Sequence, residues 1–220
     1  MNKKNSRLFV IGSAILLAAS GIIAFFILAP SSAIRVACVG DSLTQSTEYP
    51  YHLWMLLGTS EYTVRNYGAG ATTVSLDSET PYMNMSVFQS ALDFQPDIVI
   101  IMLGTNDAQP SLHKFNASFV GDYVKIVAAF QGLSIDPEIY VVLPPPIFSD
   151  QDGKMDPEYF KSTIIPSIEQ AAKENDLPII DVYSALAGYP NYFPDGVHAN
   201  SEAAELIANE VYKAMISQNT

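Results

Sequence analysis

The chain has 220 residues and a single cysteine, Cys38, so no intrachain disulfide can form and a disulfide-stapled scaffold is excluded. Cys38 lies in the apolar run 34–39 and reads as a small buried hydrophobe, with no redox chemistry implied. Basic residues are also scarce, 11 against 23 acidic ones. Three of the 11 (Lys3, Lys4 and Arg7) precede residue 8; subtracting them leaves 8 against 23, a formal −15 for residues 31–220. A domain so acidic is repelled by phosphate backbones and anionic lipid, which argues against nucleic acid as a partner. Gly and Pro number only 12 and 14, and hydrophobic residues make up 49%, which excludes collagen-like and disordered classes. No internal repeat, low-complexity segment or second-domain linker interrupts the chain.

What is present first is an uncharged stretch of 22 residues, Leu8 to Ala29. At ~1.5 Å per residue a helix of that length crosses a ~30 Å hydrocarbon core. The expected organisation is a basic N-terminus and transmembrane signal anchor over residues 1–30, followed by a domain over residues 31–220. Lys3, Lys4 and Arg7 place the N-terminus in the cytoplasm and the domain outside. Ser31-Ser32-Ala33 would suit a signal peptidase, in which case the domain is secreted. Two glycosylation sequons, at Asn84 and Asn116, agree with an outside location but carry little weight alone.

Four short apolar runs read as strands buried on both faces: 34–39, 97–103, 138–143 and 177–182. Residues 62–66 form a weaker fifth. Helical patterns lie between them at 51–58, 116–130, 157–175 and 201–217. Such alternation builds an α/β fold, a parallel sheet covered by helices, in which ligands bind at the carboxyl ends of the strands. The segments 72–90 and 144–156 are expected as long loops shaping a pocket rim; Tyr82, Phe88 and residues 144–148 could line it, although aromatics and prolines in loops more often serve packing.

Polar residues gather just after the expected strands. Gly40-Asp41-Ser42-Leu43-Thr44 follows the first, and Asn66-Tyr67-Gly68-Ala69-Gly70-Ala71-Thr72 the second. Gly104-Thr105-Asn106-Asp107 follows the third, and Asp195-Gly196-Val197-His198 precedes the last helix. Acyl transfer by a serine needs a hydroxyl, a base, an acid that fixes the base's tautomer, and donors aimed at the oxyanion. Ser42, His198 and Asp195 supply the first three. Asn106 and the amides of Gly70 and Ser42 supply the fourth. Each block alone has an ordinary explanation as a turn or cap; their conjunction points to catalysis.

These four blocks, in this order and spacing, resemble the SGNH or GDSL-type hydrolase superfamily from Ile34 to the C-terminus. The resemblance implies a three-layer α/β/α sandwich with a flavodoxin-like five-stranded parallel sheet. It implies Ser42 as nucleophile, His198 as general base and then acid, and Asp195 as its orienting partner. Ser42, Gly70 and Asn106 would form the oxyanion hole. The glycine block is one residue shorter than the family's Asn-x-Gly-x-x-Gly-Ala-Thr form, so Gly68 remains an alternative to Gly70. Asp41 and Asp107 are expected to fix turns. The phrasing of PYMNMSVFQ, VVLPPPIF and LPIIDVYSAL is similar to the sialate and xylan O-acetylesterase branch, which implies an extracellular glycan ester as substrate and no cofactor or metal. A lipase, lysophospholipase or thioesterase of the same fold, a non-catalytic glycan-binding module, and a metal hydrolase built from Asp41, Asp107, Asp195 and His198 are the competing readings. Nothing in the sequence sets the oligomeric state.

Overall fold

A computed structural model of the chain describes residues 33–149 and 153–217. The expected anchor Leu8–Ala29 lies outside them. Among the described residues no helix is long and apolar enough to cross a membrane.

Strand β1, Ile34–Gly40, runs directly into the short helix α1, Ser42–Gln45, and then α2, Tyr49–Leu57. Strand β2 (Tyr62–Gly68) precedes helix α3 (Ser86–Asp93), and β3 (Ile98–Met102) precedes α4 (Asn116–Gln131). Next come β4 (Glu138–Leu143), α5 (Ile165–Glu174), β5 (Ile179–Asp181), α6 (Val182–Leu186) and α7 (Ser201–Ser217). The five strands are all parallel, in the order β2-β1-β3-β4-β5. This is the flavodoxin-like order, whose switch point falls between β1 and β3.

Side-chain alternation divides the core into two layers. Val36, Cys38, Ile100, Met102, Tyr140 and Val142 meet α2, α6 and α7 on one face. Ala37, Val39, Val99, Ile101, Ile139 and Val141 meet α3, α4 and α5 on the other. Central strands with both faces covered are apolar along their covered length, which is why β1, β3 and β4 read as apolar runs, with Arg35 and Glu138 at the less buried amino ends of β1 and β4. Each aliphatic side chain fully buried there contributes roughly 1.5–3 kcal/mol. Cys38 is fully buried, and burial pushes its thiol up to about 12 against a smaller opposing effect of a Tyr49 hydrogen bond.

Several boundaries differ from the sequence reading. The expected loop 72–90 contains the start of α3, an eight-residue helix whose short apolar stripe of Val87, Phe88, Ala91 and Leu92 the sequence reading passed over. The expected helix 157–175 is a helical turn at Pro157–Tyr159, a wide π turn at Phe160–Ile164, and then α5. Pro166 explains the wide turn: its nitrogen has no hydrogen to donate one turn back, and its ring crowds that carbonyl. Tyr82 and Phe88 are core residues, with the Tyr82 hydroxyl donating to the Tyr67 carbonyl, and residues 144–147 are buried. These rim candidates are packing.

The register aligns the carboxyl ends of the first three strands, pairing Gly40 with Gly68 on one side and with Met102 on the other. Gly68 is where β2 passes under α1: a Cβ there would stand 2.2 Å from the Gln45 nitrogen and 2.6 Å from its Cα. Backbone atoms cannot yield as a side-chain tip can. Gly68→Ala should therefore destabilise the fold by about 1–3 kcal/mol, the usual cost of overpacking. The urea midpoint of the variant against the parent checks this; an unchanged midpoint would show that α1 moves freely over β2.

Candidate active site

Asp41 follows β1 and caps α1, its Oδ1 accepting from the Leu43 N–H at 2.9 Å. The cap forces the chain to turn into helix at once, so Ser42 lies at the carboxyl edge of the sheet. Its Oγ is 2.9 Å from His198 Nε2, and His198 Nδ1 is 2.6 Å from Asp195 Oδ2. The carboxylate at Nδ1 holds the proton on that nitrogen, which leaves the Nε2 lone pair to accept from the serine hydroxyl. Asp195 Oδ1 accepts from the backbone N–H groups of Val197 and His198, at 2.9 and 2.7 Å. Burial pulls the Asp195 carboxyl upward, but those amides, the imidazole hydrogen bond and the imidazole charge together outweigh it and hold the pKa at about 2.

The loop carrying Asp195 and His198 is pinned from below. Gly196 has φ +83° and lies so close to Ser149 that an added Cβ would overlap its carbonyl oxygen. The Gly196 carbonyl accepts from the Phe148 N–H at 2.8 Å. Phe148, expected at the rim, and Ser149 thus support this loop.

Gly70 follows β2 and lies beside Ser42: a Cβ built on it would stand 3.9 Å from Ser42 Cβ. Its N–H donates to the side-chain oxygen of Gln45 at 2.9 Å. The Gly68 N–H donates to Asn66 Oδ1, and Asn66 Nδ2 donates to the Thr44 carbonyl at 2.7 Å. Gly68 is thereby committed to holding the end of β2 against α1. Ala71, with φ +59°, turns the loop outward. Asn106 follows β3, and its Nδ2 donates one hydrogen to the Thr72 carbonyl at 2.9 Å, with the second available. Ser42, Gly70, Asn106, Asp195 and His198 therefore all lie at one edge of the sheet, the first three brought there by the ends of β1, β2 and β3 and the last two by the single loop before α7.

The other two acids turn inward. Asp107 accepts from the Val74 and Ser75 N–H groups and the Ser75 hydroxyl, at 2.9, 3.0 and 2.8 Å, and so clamps the loop that follows Thr72. Burial raises its pKa to about 6 despite those three bonds. Asp41 is raised further, to about 7, by burial first, with the Asp107 charge adding and the Leu43 amide, the nearby Thr105 hydroxyl and His198 opposing. Among the described residues no group of three or more His, Cys, Asp or Glu side chains is placed to hold a metal ion.

Gln45 and Asn66 were missed by sequence reasoning. Asn66 opens the glycine block and could have been singled out there. Gln45 is a generic polar residue at the end of a four-residue helix, and nothing in the sequence marks its contact with Gly70.

Residues 38–206 match the GDSL-like Lipase/Acylhydrolase family. An acetylxylan esterase of Xylanibacter ruminicola is 29% identical over 209 residues, covering 83% of this chain and 43% of that protein. The chain thus spans less than half the length of that relative. Among solved structures, a carbohydrate acetylesterase from Sinorhizobium meliloti superposes with TM-score 0.65 at 21% identity, over 84% of this chain and 99% of the other. A lipase/acylhydrolase from Enterococcus faecalis superposes with TM-score 0.68 at 21% identity, over 84% and 96%. At such identities the superpositions establish the fold and leave the substrate open.

The raised Asp41 pKa has a sign that can be measured. Between its ordinary value of 3.8 and about 7, the folded state holds this proton more tightly than the unfolded state does. Stability from this group is full below about pH 4 and declines as pH rises towards 7. Asp107 acts in the same direction up to about 6, whereas Asp195 loses stability only below about pH 4. Asp41→Asn keeps an oxygen to cap Leu43 and removes the ionisation. Its urea midpoint should fall less than the parent's between pH 4.5 and 7.5; equal declines would show that Asp41 does not titrate there.

Proposed function

We propose, since the chain belongs to the GDSL-like Lipase/Acylhydrolase family, that it hydrolyses carboxylic esters through a serine acyl-enzyme and that its substrates are O-acetyl groups on extracellular carbohydrate. The observation that carries the reading is the unbroken hydrogen-bonded relay from Ser42 Oγ through His198 to Asp195, at 2.9 and 2.6 Å. In this reading His198 Nε2 takes the hydroxyl proton as Ser42 Oγ attacks the acyl carbon. The imidazolium that forms is stabilised by Asp195, which stays ionised throughout. The tetrahedral intermediate then collapses, its C–O bond to the alcohol breaks, and His198 returns the proton to the departing oxygen. Water attacks the acyl-enzyme by the same route and releases the acid.

Charge that develops on the acyl oxygen needs donors fixed in advance. The Ser42 amide, the second hydrogen of Asn106 Nδ2 and the Gly70 amide are the candidates. Gln45 Oε1 holds the acceptor position on Gly70 that the oxyanion would take. As an exposed side chain at a helix end, it yields that position on binding.

A small acyl group is favoured by the openness of the centre. The His198 and Asp195 side chains are 50% and 53% exposed, so the reacting atoms lie at a surface edge that a bulky polymer can approach. The acetylxylan esterase relative supports the same substrate class. The uncharged run Leu8–Ala29, with Lys3, Lys4 and Arg7 before it, supports attachment to a membrane with the hydrolase domain outside.

Hydrolysis of p-nitrophenyl acetate, butyrate and decanoate tests the reading. Acetate should be preferred, and Ser42→Ala should lower turnover by several orders of magnitude. Preference for decanoate would indicate a lipase, and activity unchanged in Ser42→Ala would exclude the serine mechanism. Asn106→Ala should cost about 10²- to 10³-fold in kcat with a much smaller change in KM, because the lost donor acts on the transition state. Full activity in that variant would remove Asn106 from the oxyanion site.

A further inference from the structure

Immediately beyond Gly70 the surface opens into a cleft of about 490 Å³, within the ~300–1,000 Å³ range of small-molecule sites. It begins at Ala71, so it adjoins the loop that lies against Ser42. One wall is the segment 71–80, the other the segment 109–115. Both walls are built before any ligand arrives. In the first, the Thr73 N–H donates to the Thr80 carbonyl, the Thr80 hydroxyl donates to the Ala71 carbonyl, and Asp107 clamps Val74 and Ser75. The second is braced by His113, whose ring stacks on Tyr159 with centroids 3.5 Å apart.

We propose that this cleft receives the sugar bearing the ester, and that it selects a neutral saccharide over an anionic one. The inference rests on the ester-hydrolase reading above and names the alcohol side of its substrate. The lining has the chemistry that carbohydrate demands. Asp77 and Glu79 accept from hydroxyls, Gln109 both donates and accepts, and Lys114 donates. Phe115 offers an apolar ring to the C–H face of a pyranose, and the Lys114 ammonium, 4.8 Å from the ring centroid, fixes its orientation. Ala71, Leu112 and Phe115 interleave with these polar groups, the mixed surface that a sugar's alternating C–H and O–H faces match; a long acyl chain would cover the carboxylates, hydroxyls and carboxamide without replacing their water. The two carboxylates against one ammonium leave a net negative cleft, which repels a sugar acid and tolerates a neutral sugar.

The full-length chain is tested on O-acetylated xylo-oligosaccharide, on O-acetylated sialic acid and on p-nitrophenyl acetate. The parent should have a kcat/KM at least about tenfold higher on the neutral sugar than on the anionic one. In Phe115→Ala, the ratio of kcat/KM on acetylated xylo-oligosaccharide to that on p-nitrophenyl acetate should fall by about tenfold, the usual effect of removing an aromatic anchor. The double variant Asp77→Asn, Glu79→Gln should narrow the gap between the two sugars. A ratio unchanged in Phe115→Ala, or an anionic sugar preferred by the parent, overturns the proposal. Saturation-transfer NMR with unacetylated xylo-oligosaccharide reads the cleft without turnover: binding that Phe115→Ala weakens supports it, and no binding to the parent overturns it. Absence of Ser42-dependent p-nitrophenyl acetate hydrolysis, by contrast, would sink the ester-hydrolase reading, and the NMR result would then stand by itself.

Discussion

Backbone packed directly on backbone, at the edge where β1, β2 and β3 end in register, is the contact on which the rest of the site depends. A Cβ on Gly40 would meet the Thr44 side-chain oxygen at 2.0 Å and the Met102 carbonyl at 2.7 Å, and one on Gly68 would meet the Gln45 backbone. Two missing side chains therefore let α1 begin one residue after β1 and rest on the end of β2. The Asp41 cap and the Asn66 carboxamide hold it there by hydrogen bonds to its first and last turns. Ser42 gains a fixed position at the switch point because its helix has nowhere else to lie. Gly70 and Asn106 come within its reach because the neighbouring strands end at the same level.

Four residues that a sequence motif would group together, Asp41, Asp107, Asp195 and His198, are divided by their surroundings. Asp41 and Asp107 are buried and serve backbone amides, so burial raises both carboxyls and ties their charge to the stability of the turns. Asp195 is half exposed and accepts three hydrogen bonds from residues 197 and 198, so it stays ionised and aims the imidazole. This division also argues against a shared metal site. A carboxylate engaged by two amides and a hydroxyl, as Asp107 is, has little capacity left for a cation.

The apolar runs at 34–39, 97–103 and 138–143 were legible because strands covered on both faces tolerate no polar residue. The edge strands were harder. β2 is half exposed and reads weakly, and the run 177–182, read as a strand buried on both faces, is instead a three-residue edge strand, Ile179–Asp181, of which only Ile180 is buried. Helix α3 escaped because it spans only eight residues, so its stripe of Val87, Phe88, Ala91 and Leu92 covers barely two turns, and the burial of Tyr82 was not legible because its long-range contact with Tyr67 has no local signature.

The sequence by itself determined the order of the four polar blocks, the parallel α/β class and the acidity of the domain, since each is a property of composition or of local pattern. Only the tertiary structure decided that Gly68 packs while Gly70 faces Ser42, that Gln45 reaches the Gly70 amide, and that Phe148 and Ser149 support the histidine loop. It alone showed that the segments 71–80 and 109–115 enclose a cleft that begins one residue past Gly70. These depend on contacts between residues distant in sequence, 25 positions for Gln45 with Gly70 and 156 for Ser42 with His198. Chain connectivity carries no record of such distances; the register of the sheet creates them.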